Sequence, residues 1–221
     1  MSLAQPIAWD SQNEPEPAPP DIESYGVIRL LARGGQGNLW LASRDADDQD
    51  CVIKTIFRFE SGKAPTRERF LENCRLLASL DHPGLVGLID YGVLPDSTLW
   101  QAMEYVAGRP LLDFIKAIDS KHTGNKARRS PTSAIARIVD LFIDVCDAVQ
   151  AAHRVGIIHR DIKPSNILVD GAGRPRLLDF GIAKPISTEP GPAHTLTGHF
   201  VGSLAWSSPE QVECMPGNTD V

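Results

Sequence analysis

In this chain of 221 residues, the side chains best suited to catalysis lie in a short polar stretch, His159–Asn166. Three of its side chains are candidates to act together on one substrate: Asp161, Lys163 and Asn166. A carboxylate can accept a proton, an ammonium group can neutralise phosphate, and an amide oxygen can bind a metal ion. Apolar runs flank the stretch, Val155–Ile158 before it and Ile167–Val169 after it, and we expect both to be strand-like. A loop between two strands would hold its polar side chains rigidly.

Three further features carry chemistry. The tripeptide Asp179-Phe180-Gly181 combines a carboxylate with an aromatic anchor and a glycine hinge. The segment Ala32–Asn38 is rich in glycine, so backbone N–H groups there can approach phosphate closely, although hairpin tips often need glycine for other reasons. Lys54 lies within an apolar run, where an unpaired ammonium is costly, and should meet an anion unless it is a surface residue of an edge strand.

These strings resemble the motifs of the protein kinase family. His159–Asn166 is similar to the catalytic loop of that family, and Asp179-Phe180-Gly181 is similar to its metal-binding segment. Ala32–Asn38 is similar to its glycine-rich loop, with Ala32 in place of the first glycine. Lys163, two residues after the aspartate of the catalytic loop, is a feature of the serine/threonine type.

The C-terminal part of the chain extends the resemblance. Gly202–Gln211 is similar to the corresponding string of bacterial serine/threonine kinases, with Ser203 in place of a threonine. The likeness covers residues 25–221 and implies an α+β, two-lobed, protein-kinase-like fold. The implied domains are a disordered arm rich in proline and acids at 1–24, a small lobe at 25–106 and a partial large lobe at 107–221. The large lobe is expected to be mainly helical and incomplete, because the later helices of the family would lie beyond residue 221.

The pattern of apolar residues supplies the elements that such a fold requires. A five-stranded antiparallel sheet is predicted from the runs Tyr25–Leu31, Leu39–Ala42, Cys51–Ile56, Leu85–Gly92 and Thr98–Met103. One helix over residues 65–80 accompanies it. In the large lobe we expect a short helix over Leu111–Ile118, a solvated loop over Asp119–Ser133 and an amphipathic helix over Ile135–His153. The apolar face of this last helix comprises Ile135, Ile138, Val139, Phe142, Val145, Cys146 and Val149.

The resemblance also assigns roles to the candidate site residues. Asp161 would orient the acceptor hydroxyl and take its proton, and Lys163 would neutralise the γ-phosphate of ATP. Asn166 and Asp179 would hold Mg²⁺ and so contribute to cofactor binding. The other residues expected to bind ATP are Gly34, Gly35, Gly37, Leu39, Val52, Lys54, Met103, Glu104 and Val106.

Within that set, Lys54 would hold the α- and β-phosphates, and the backbone of Glu104 and Val106 would bond the adenine. Family members place a glutamate on the small-lobe helix to pair with this lysine. The corresponding position here is Asn73, and Glu72 is one residue away, which is about 100° around a helix. Either the helix shifts its register locally so that Glu72 serves, or the lysine–glutamate pair is absent.

The segment Ile182–Ser207 has the length and composition of an activation loop. Arg160 can pair with a phosphate there, because arginine makes bidentate charge-assisted hydrogen bonds. Autophosphorylation is expected at Thr195 or Thr197, with Thr188 as a third candidate.

The net charge of −6 is concentrated in the N-terminal arm, where five acids and no Lys or Arg lie within residues 1–24. The nearly neutral remainder gives no reason to expect nucleic-acid binding. The four cysteines are widely spaced and are expected to be reduced thiols. No apolar run approaches the length of about 18 residues that a membrane helix needs, and no signal pattern opens the chain, so we expect a cytoplasmic protein.

The predicted function is a serine/threonine protein kinase that uses ATP and Mg²⁺, has protein substrates with Ser or Thr acceptors, and phosphorylates its own activation loop. The alternative is a catalytically impaired, kinase-like module for ATP binding or for interaction. Asn73 and the absent later helices favour that alternative. Without those helices the 135–153 helix would expose apolar surface, which favours a partner or self-association through the large-lobe face.

Overall fold

The computed structural model describes residues 17–34, 37–56, 67–123, 131–178, 180 and 206, and for 119–123 and 131–133 the backbone alone. These residues belong to two compact units. The N-terminal unit comprises residues 1–79 and 87–105, and the C-terminal unit comprises residues 80–86 and 106–221. The predicted activation loop, its threonines and most of the N-terminal arm lie outside the described residues.

The N-terminal unit is built on the predicted five-stranded antiparallel sheet, which is confirmed. Its strands are β1 (Tyr25–Gly34), β2 (Gly37–Arg44), β3 (Gln49–Ile56), β4 (Leu88–Val93) and β5 (Leu99–Glu104). They lie in the order β1-β2-β3-β5-β4. The predicted helix is α1 (Arg67–Ala78), which packs against β4 and buries Phe70, Cys74 and Leu77 at helical spacing. Burial raises the pKa of the Cys74 thiol to about 12, so this side chain behaves as a small apolar group.

One face of the sheet is closed by an aromatic and aliphatic cluster. It contains Ile22, Tyr25, Trp40, Ala42, Cys51, Ile53, Trp100 and Ala102. The ring of Tyr25 meets Trp100 edge-on at 5.9 Å, and its hydroxyl donates to Asp90 Oδ2 at 3.4 Å. Burial, together with the charge of Asp90, raises the pKa of Tyr25 to about 12. Since Ile22 is part of this cluster, packed structure begins before Tyr25, earlier in the chain than the sequence pattern indicated.

Two helices dominate the C-terminal unit. They are α2 (Leu111–Thr123) and α3 (Pro131–Arg154). The prediction of a loop from Asp119 to Ser133 is wrong at both of its ends, where the backbone is helical. The physical reason lies in the helix breakers: Gly124 is the first glycine after α2 begins, and Pro131 occupies a first-turn position, where its fixed φ suits a helix.

Of the seven residues of the predicted apolar face of α3, only Val145 is buried. The buried stripe consists of Leu141, Val145, Ala148 and Ala152, which recur at helical spacing. A second stripe of apolar residues is exposed and comprises Ile135, Val139, Phe142 and Ile143. The predicted end of this helix near His153 is confirmed, since α3 ends at Arg154.

The chain leaves α3 through a turn that the sequence analysis did not predict. Gly156 has φ of +79°, its N–H donates to His153 O at 2.9 Å, and the N–H of Ile157 donates to Ala152 O at 3.0 Å. This pair of bonds is the Schellman arrangement that ends helices at a left-handed glycine. The prediction that Val155–Ile158 is strand-like is therefore wrong, because its apolar residues serve the helix end.

The C-terminal unit also contains a small second sheet. Its strands are β6 (Gly108–Pro110), β7 (Ile167–Asp170) and β8 (Pro175–Leu177), in that order. Strand β7 confirms the prediction for Ile167–Val169. The strand predicted from Leu85 instead begins at Leu88. Leu85 forms a parallel bridge with Leu177, and the N–H of Val86 donates to Leu177 O at 3.1 Å, so this part of the apolar run belongs to the second sheet.

Candidate functional site

The polar loop His159–Asn166 begins with a histidine that is buried, with 1% of its surface exposed. Its Nδ1 accepts a hydrogen bond from the N–H of Asp161 at 3.2 Å, so the ring proton resides on Nε2. That Nε2–H donates to Leu178 O at 2.7 Å, and the ring lies 4.9 Å from the ring of Phe180. His159 thus fixes the backbone of Asp161 from one side and of Leu178 from the other. Its role was not predicted from the sequence.

Three predicted site residues meet at the carboxylate of Asp161. The ammonium of Lys163 lies 2.9 Å from Asp161 Oδ2. The side-chain nitrogen of Asn166 donates to the same Oδ2 at 2.9 Å and to the backbone carbonyl of Asp161, also at 2.9 Å. Both charged side chains keep about a fifth of their surface exposed, so the pair is accessible. A charge-assisted pair held from two sides has a fixed orientation.

The backbone of Asn166 is held as firmly as its side chain. Residues Pro164–Asn166 form a single 3-10 turn, in which the N–H of Asn166 donates to Lys163 O at 2.9 Å. The carbonyl of Asn166 accepts from the N–H of Leu178 at 2.8 Å. Strand β7 follows directly and pairs with β8, and the loop is therefore anchored to the second sheet at its exit.

A tight turn joins β7 to β8. Asp170 Oδ1 accepts hydrogen bonds from the N–H groups of Ala172 and Arg174, at 2.9 and 3.0 Å. The hydrogen bond from Arg174 is the main cause that lowers the pKa of the Asp170 carboxyl. This turn sets the position from which the chain runs through Leu178 toward Asp179. Asp179 itself lies outside the described residues.

The amide of Asn166 is oriented suitably for a cation. Both of its side-chain hydrogen bonds described above use the nitrogen, which leaves the amide oxygen as the atom that a metal would take. Among the described residues no group of three or more His, Cys, Asp or Glu side chains is placed to hold a metal ion. An amide oxygen with one carboxylate and substrate phosphates suits Mg²⁺, which is rarely caged by protein ligands alone.

In the N-terminal unit, the predicted ATP-binding side chains share one face of the sheet. Lys54 pairs across strands with Leu39, and Val52 pairs with Met103. Directly opposed residues of antiparallel strands point to the same side, as do residues two apart in one strand. These four side chains therefore lie opposite the aromatic cluster. Glu104 ends β5, and its N–H donates to Gly87 O at 2.9 Å. Val106 follows β5 in the described connection to β6.

The glycines at the tip of the β1–β2 hairpin differ in the space that each position leaves for a side chain. Gly37 has φ of +153°, and a Cβ there would lie 1.7 Å from Thr55 O, so the backbone of β3 excludes any side chain. A Cβ on Gly34 would make only a tight contact of 3.4 Å with Gly37 O. The packing of the backbone thus requires glycine at position 37, in addition to the predicted approach to phosphate. Gly35 lies outside the described residues.

The faces of α1 distinguish the two candidates for the partner of Lys54. Asn73 is half-buried and lies about 60° around the helix from the fully buried Phe70. Glu72 lies about 160° from Phe70, is exposed, and pairs with Arg75 at 3.3 Å. The helix has not shifted its register to turn Glu72 inward. Of the two residues, Asn73 is the one beside the packed face, and α1 presents an amide there.

Comparison with known proteins accounts for all of these motifs at once. The sequence profile described as "Protein kinase domain" matches residues 25–221. The serine/threonine-protein kinase pkn3 of Myxococcus xanthus is 34% identical over 192 residues, which is 85% of this chain and 33% of that protein. The serine/threonine-protein kinase PknA of Mycobacterium tuberculosis is 32% identical over 191 residues, 85% of this chain and 41% of that protein.

The structure also resembles a solved kinase domain. The crystal structure of the Mycobacterium tuberculosis PknI kinase domain matches with a TM-score of 0.57 and 25% identity, covering 74% of this chain and 62% of that one. The chain spans about a third to two fifths of the length of the curated relatives described above. Within the described parts of the chain, no helix combines the length and the apolar character needed to cross a membrane.

Proposed function

The chain belongs to the protein kinase family, and on that premise we propose that it transfers the γ-phosphoryl group of ATP to serine or threonine hydroxyls of proteins. The family uses ATP and Mg²⁺ in general. The observation that carries the proposal is the shared carboxylate oxygen of Asp161, which lies 2.9 Å from both the Lys163 ammonium and the Asn166 amide nitrogen. A base held in this way is oriented before the substrate arrives, and orientation supplies much of the rate in phosphoryl transfer.

In the proposed reaction the acceptor hydroxyl oxygen forms a bond to the γ-phosphorus, and the bond from that phosphorus to the β-bridging oxygen breaks, releasing ADP. Asp161 orients the hydroxyl and accepts its proton. A carboxylate has about four lone-pair positions, so the contacts on Oδ2 leave capacity for the substrate. Lys163 has three donors and can serve Asp161 and a γ-phosphate oxygen together.

We assign the remaining predicted residues to ATP and the metal. When bound, Mg²⁺ supplies charge neutralisation of the phosphates, and Asn166 and Asp179 are the residues that would hold it. Lys54 would hold the α- and β-phosphates. The backbone of Glu104 and Val106 would bond the adenine. The remaining contributors to the nucleotide site are Gly34, Gly35, Gly37, Leu39, Val52 and Met103.

A transfer assay tests the proposal. The chain is incubated with Mg²⁺ and ATP labelled at the γ-phosphate, beside Asp161→Asn and a matched Asp113→Asn control on the exposed surface of α2. Loss of the proton acceptor should reduce label transfer at least about 100-fold, while the control should equal the unmodified chain. Peptide mapping then shows whether the label resides on Thr195 or Thr197. Equal labelling by both variants would refute the assignment of Asp161.

A second candidate function, ATP binding without transfer, is favoured by the amide that α1 presents where the family has a carboxylate. The same preparations distinguish it. A melting temperature raised by Mg²⁺ and ATP, without any label on the chain or on a generic protein substrate, would support this module. Transfer that depends on Asp161 would exclude it.

The exposed stripe of α3 supports a partner or a second copy of the chain at this face. Its apolar side chains are 48–63% exposed, which is unusual for four neighbours on one helix. Sedimentation velocity over a range of concentrations tests self-association. Phe142→Glu should shift any dimer toward monomer, whereas Ile28→Glu, at a similarly exposed apolar residue of β1, should not. An unchanged distribution in Phe142→Glu would exclude this face.

A further inference from the structure

Gln101 is a polar residue buried in the sheet of the N-terminal unit. Only 3% of its surface is exposed. Its side-chain nitrogen contacts Met103 Sδ at 3.5 Å, and its oxygen, Oε1, has no hydrogen-bond partner among the described residues. A buried carbonyl without a partner costs free energy of unfolding, so an acceptor kept in this position calls for a donor.

A candidate donor follows from the strand register. Gln101 of β5 stands directly opposite Lys54 of β3, and on its other side it stands opposite Tyr91 of β4. Opposed residues of antiparallel strands have Cβ atoms roughly 5 Å apart, a distance that a lysine stem spans easily. An ammonium group has three donors, so Lys54 can bond Gln101 while it also engages phosphate or another group.

The environment of Lys54 explains why a neutral acceptor matters here. On α1 both acidic residues, Glu68 and Glu72, are exposed, and Glu72 pairs with Arg75. An amide, Asn73, lies beside the packed face. The carboxylate that orients the lysine in related enzymes is thus replaced on this helix. A buried amide oxygen on the adjacent strand can supply direction to the ammonium without neutralising its charge.

We propose that Gln101 is a positioning residue whose side-chain oxygen, which has no partner among the described residues without nucleotide, accepts a hydrogen bond from the Lys54 ammonium when ATP is bound and aims that ammonium at the phosphates. The inference rests on the proposed function, because it assigns to Lys54 its place in the nucleotide site. Gln101 acts through Lys54 and touches no reacting atom. The nucleotide site then includes a residue that the sequence alone would assign to the core of a strand.

The first test measures the dissociation constant of Mg²⁺–ATP by isothermal titration. Gln101→Leu removes the acceptor with little change in volume and should raise the dissociation constant about tenfold, the scale of one hydrogen bond to a charged group. Gln101→Glu restores an acceptor and should return it to within about threefold of the unmodified chain. In a Lys54→Met background, Gln101→Leu should have no further effect. An undiminished effect in that background, or none with Lys54 present, would overturn the proposal.

The second test compares unfolding with and without nucleotide. Without nucleotide the oxygen of Gln101 has no partner among the described residues, so Gln101→Leu should raise the urea midpoint of unfolding. With saturating Mg²⁺–ATP this gain should disappear, because the substitution then also removes the bond to Lys54. An equal gain with and without Mg²⁺–ATP would refute the hydrogen bond, whereas failure of the unmodified chain to bind Mg²⁺–ATP would refute the proposed function.

Discussion

Replacing Asn166 by alanine removes both hydrogen bonds that its side chain donates to Asp161, and the structure sets the size of the effect. The bond to the backbone carbonyl contributes about 1 kcal/mol, and the bond to the charged Oδ2 contributes about 1.5–3 kcal/mol. Lys163 remains on the same oxygen, and the Asp161 side chain is 20% exposed, so water replaces part of the loss. We expect the free energy of unfolding to fall by about 2 kcal/mol, which lowers the melting temperature by about 4–8 °C in a chain of this size.

The assay is thermal unfolding followed by circular dichroism, in the absence of Mg²⁺ and nucleotide, so that any role of Asn166 as a ligand does not contribute. Ser165→Ala is the matched control, because this neighbour in the same 3-10 turn is exposed. Asn166→Asp keeps an oxygen for a cation but loses the donor and adds a like charge, so at neutral pH it should destabilise at least as much. The reasoning would be refuted if the melting temperatures of Asn166→Ala and the control differed by less than about 1 °C, which is about the precision of the method.

Three further outcomes are expected. Gly37→Ala places a Cβ 1.7 Å from a β3 carbonyl oxygen and should cost about 2–3 kcal/mol in urea unfolding, whereas Gly34→Ala should cost under about 1 kcal/mol; similar costs would contradict the steric argument. Gly156→Ala should cost about 1–2 kcal/mol because φ there is +79°, and Gly171→Ala, equally open to a Cβ but without a left-handed φ, should cost almost nothing in the same assay. The raised pKa of Tyr25 stabilises the fold fully below pH 10, and that contribution should be lost as pH rises through about 12; Tyr25→Phe should flatten the fall of the urea midpoint over this window, and an unchanged slope would contradict it.

Much of the N-terminal unit was predictable because its strands are short apolar runs separated by polar or glycine-rich turns. In β3 the apolar pattern and the turn before it indicated both the strand and the position of Lys54. The polar loop was likewise identified locally, because its carboxylate, ammonium and amide lie within six consecutive residues, Asp161 to Asn166. These signals are local, and local signals can be interpreted without knowledge of the fold.

The remaining features depend on partners that are distant in sequence. Leu85 looked like the start of β4, but its bridge to Leu177 gives it to another sheet, and no local pattern encodes that choice. His159 could not be assigned, since its acceptor, Leu178 O, is a backbone group. Gln101 was predicted only as part of a strand, because Lys54 is its neighbour solely through the register of β3 and β5.

The apolar face of α3 shows a different limit. Periodicity identified an amphipathic helix, but the predicted face followed the exposed stripe through Phe142 and shared only Val145 with the buried stripe. Both stripes are apolar, and hydrophobicity alone does not reveal which of them has something to pack against. The turn at Gly156 was missed for a related reason, because the apolar residues around it imitate a strand.

The bridge between Leu85 and Leu177 also constrains the order of events during synthesis. The ribosome completes the N-terminal unit when it has added Tyr105, yet residues 80–86 belong with a strand that is still untranslated. At about 5–20 residues per second, roughly 70 further residues take roughly 4–14 s. Throughout that interval the nascent chain carries Leu85 without its pairing strand, inside a stretch flanked on both sides by finished structure. A chaperone that recognises short apolar segments would find this one presented as a tethered loop.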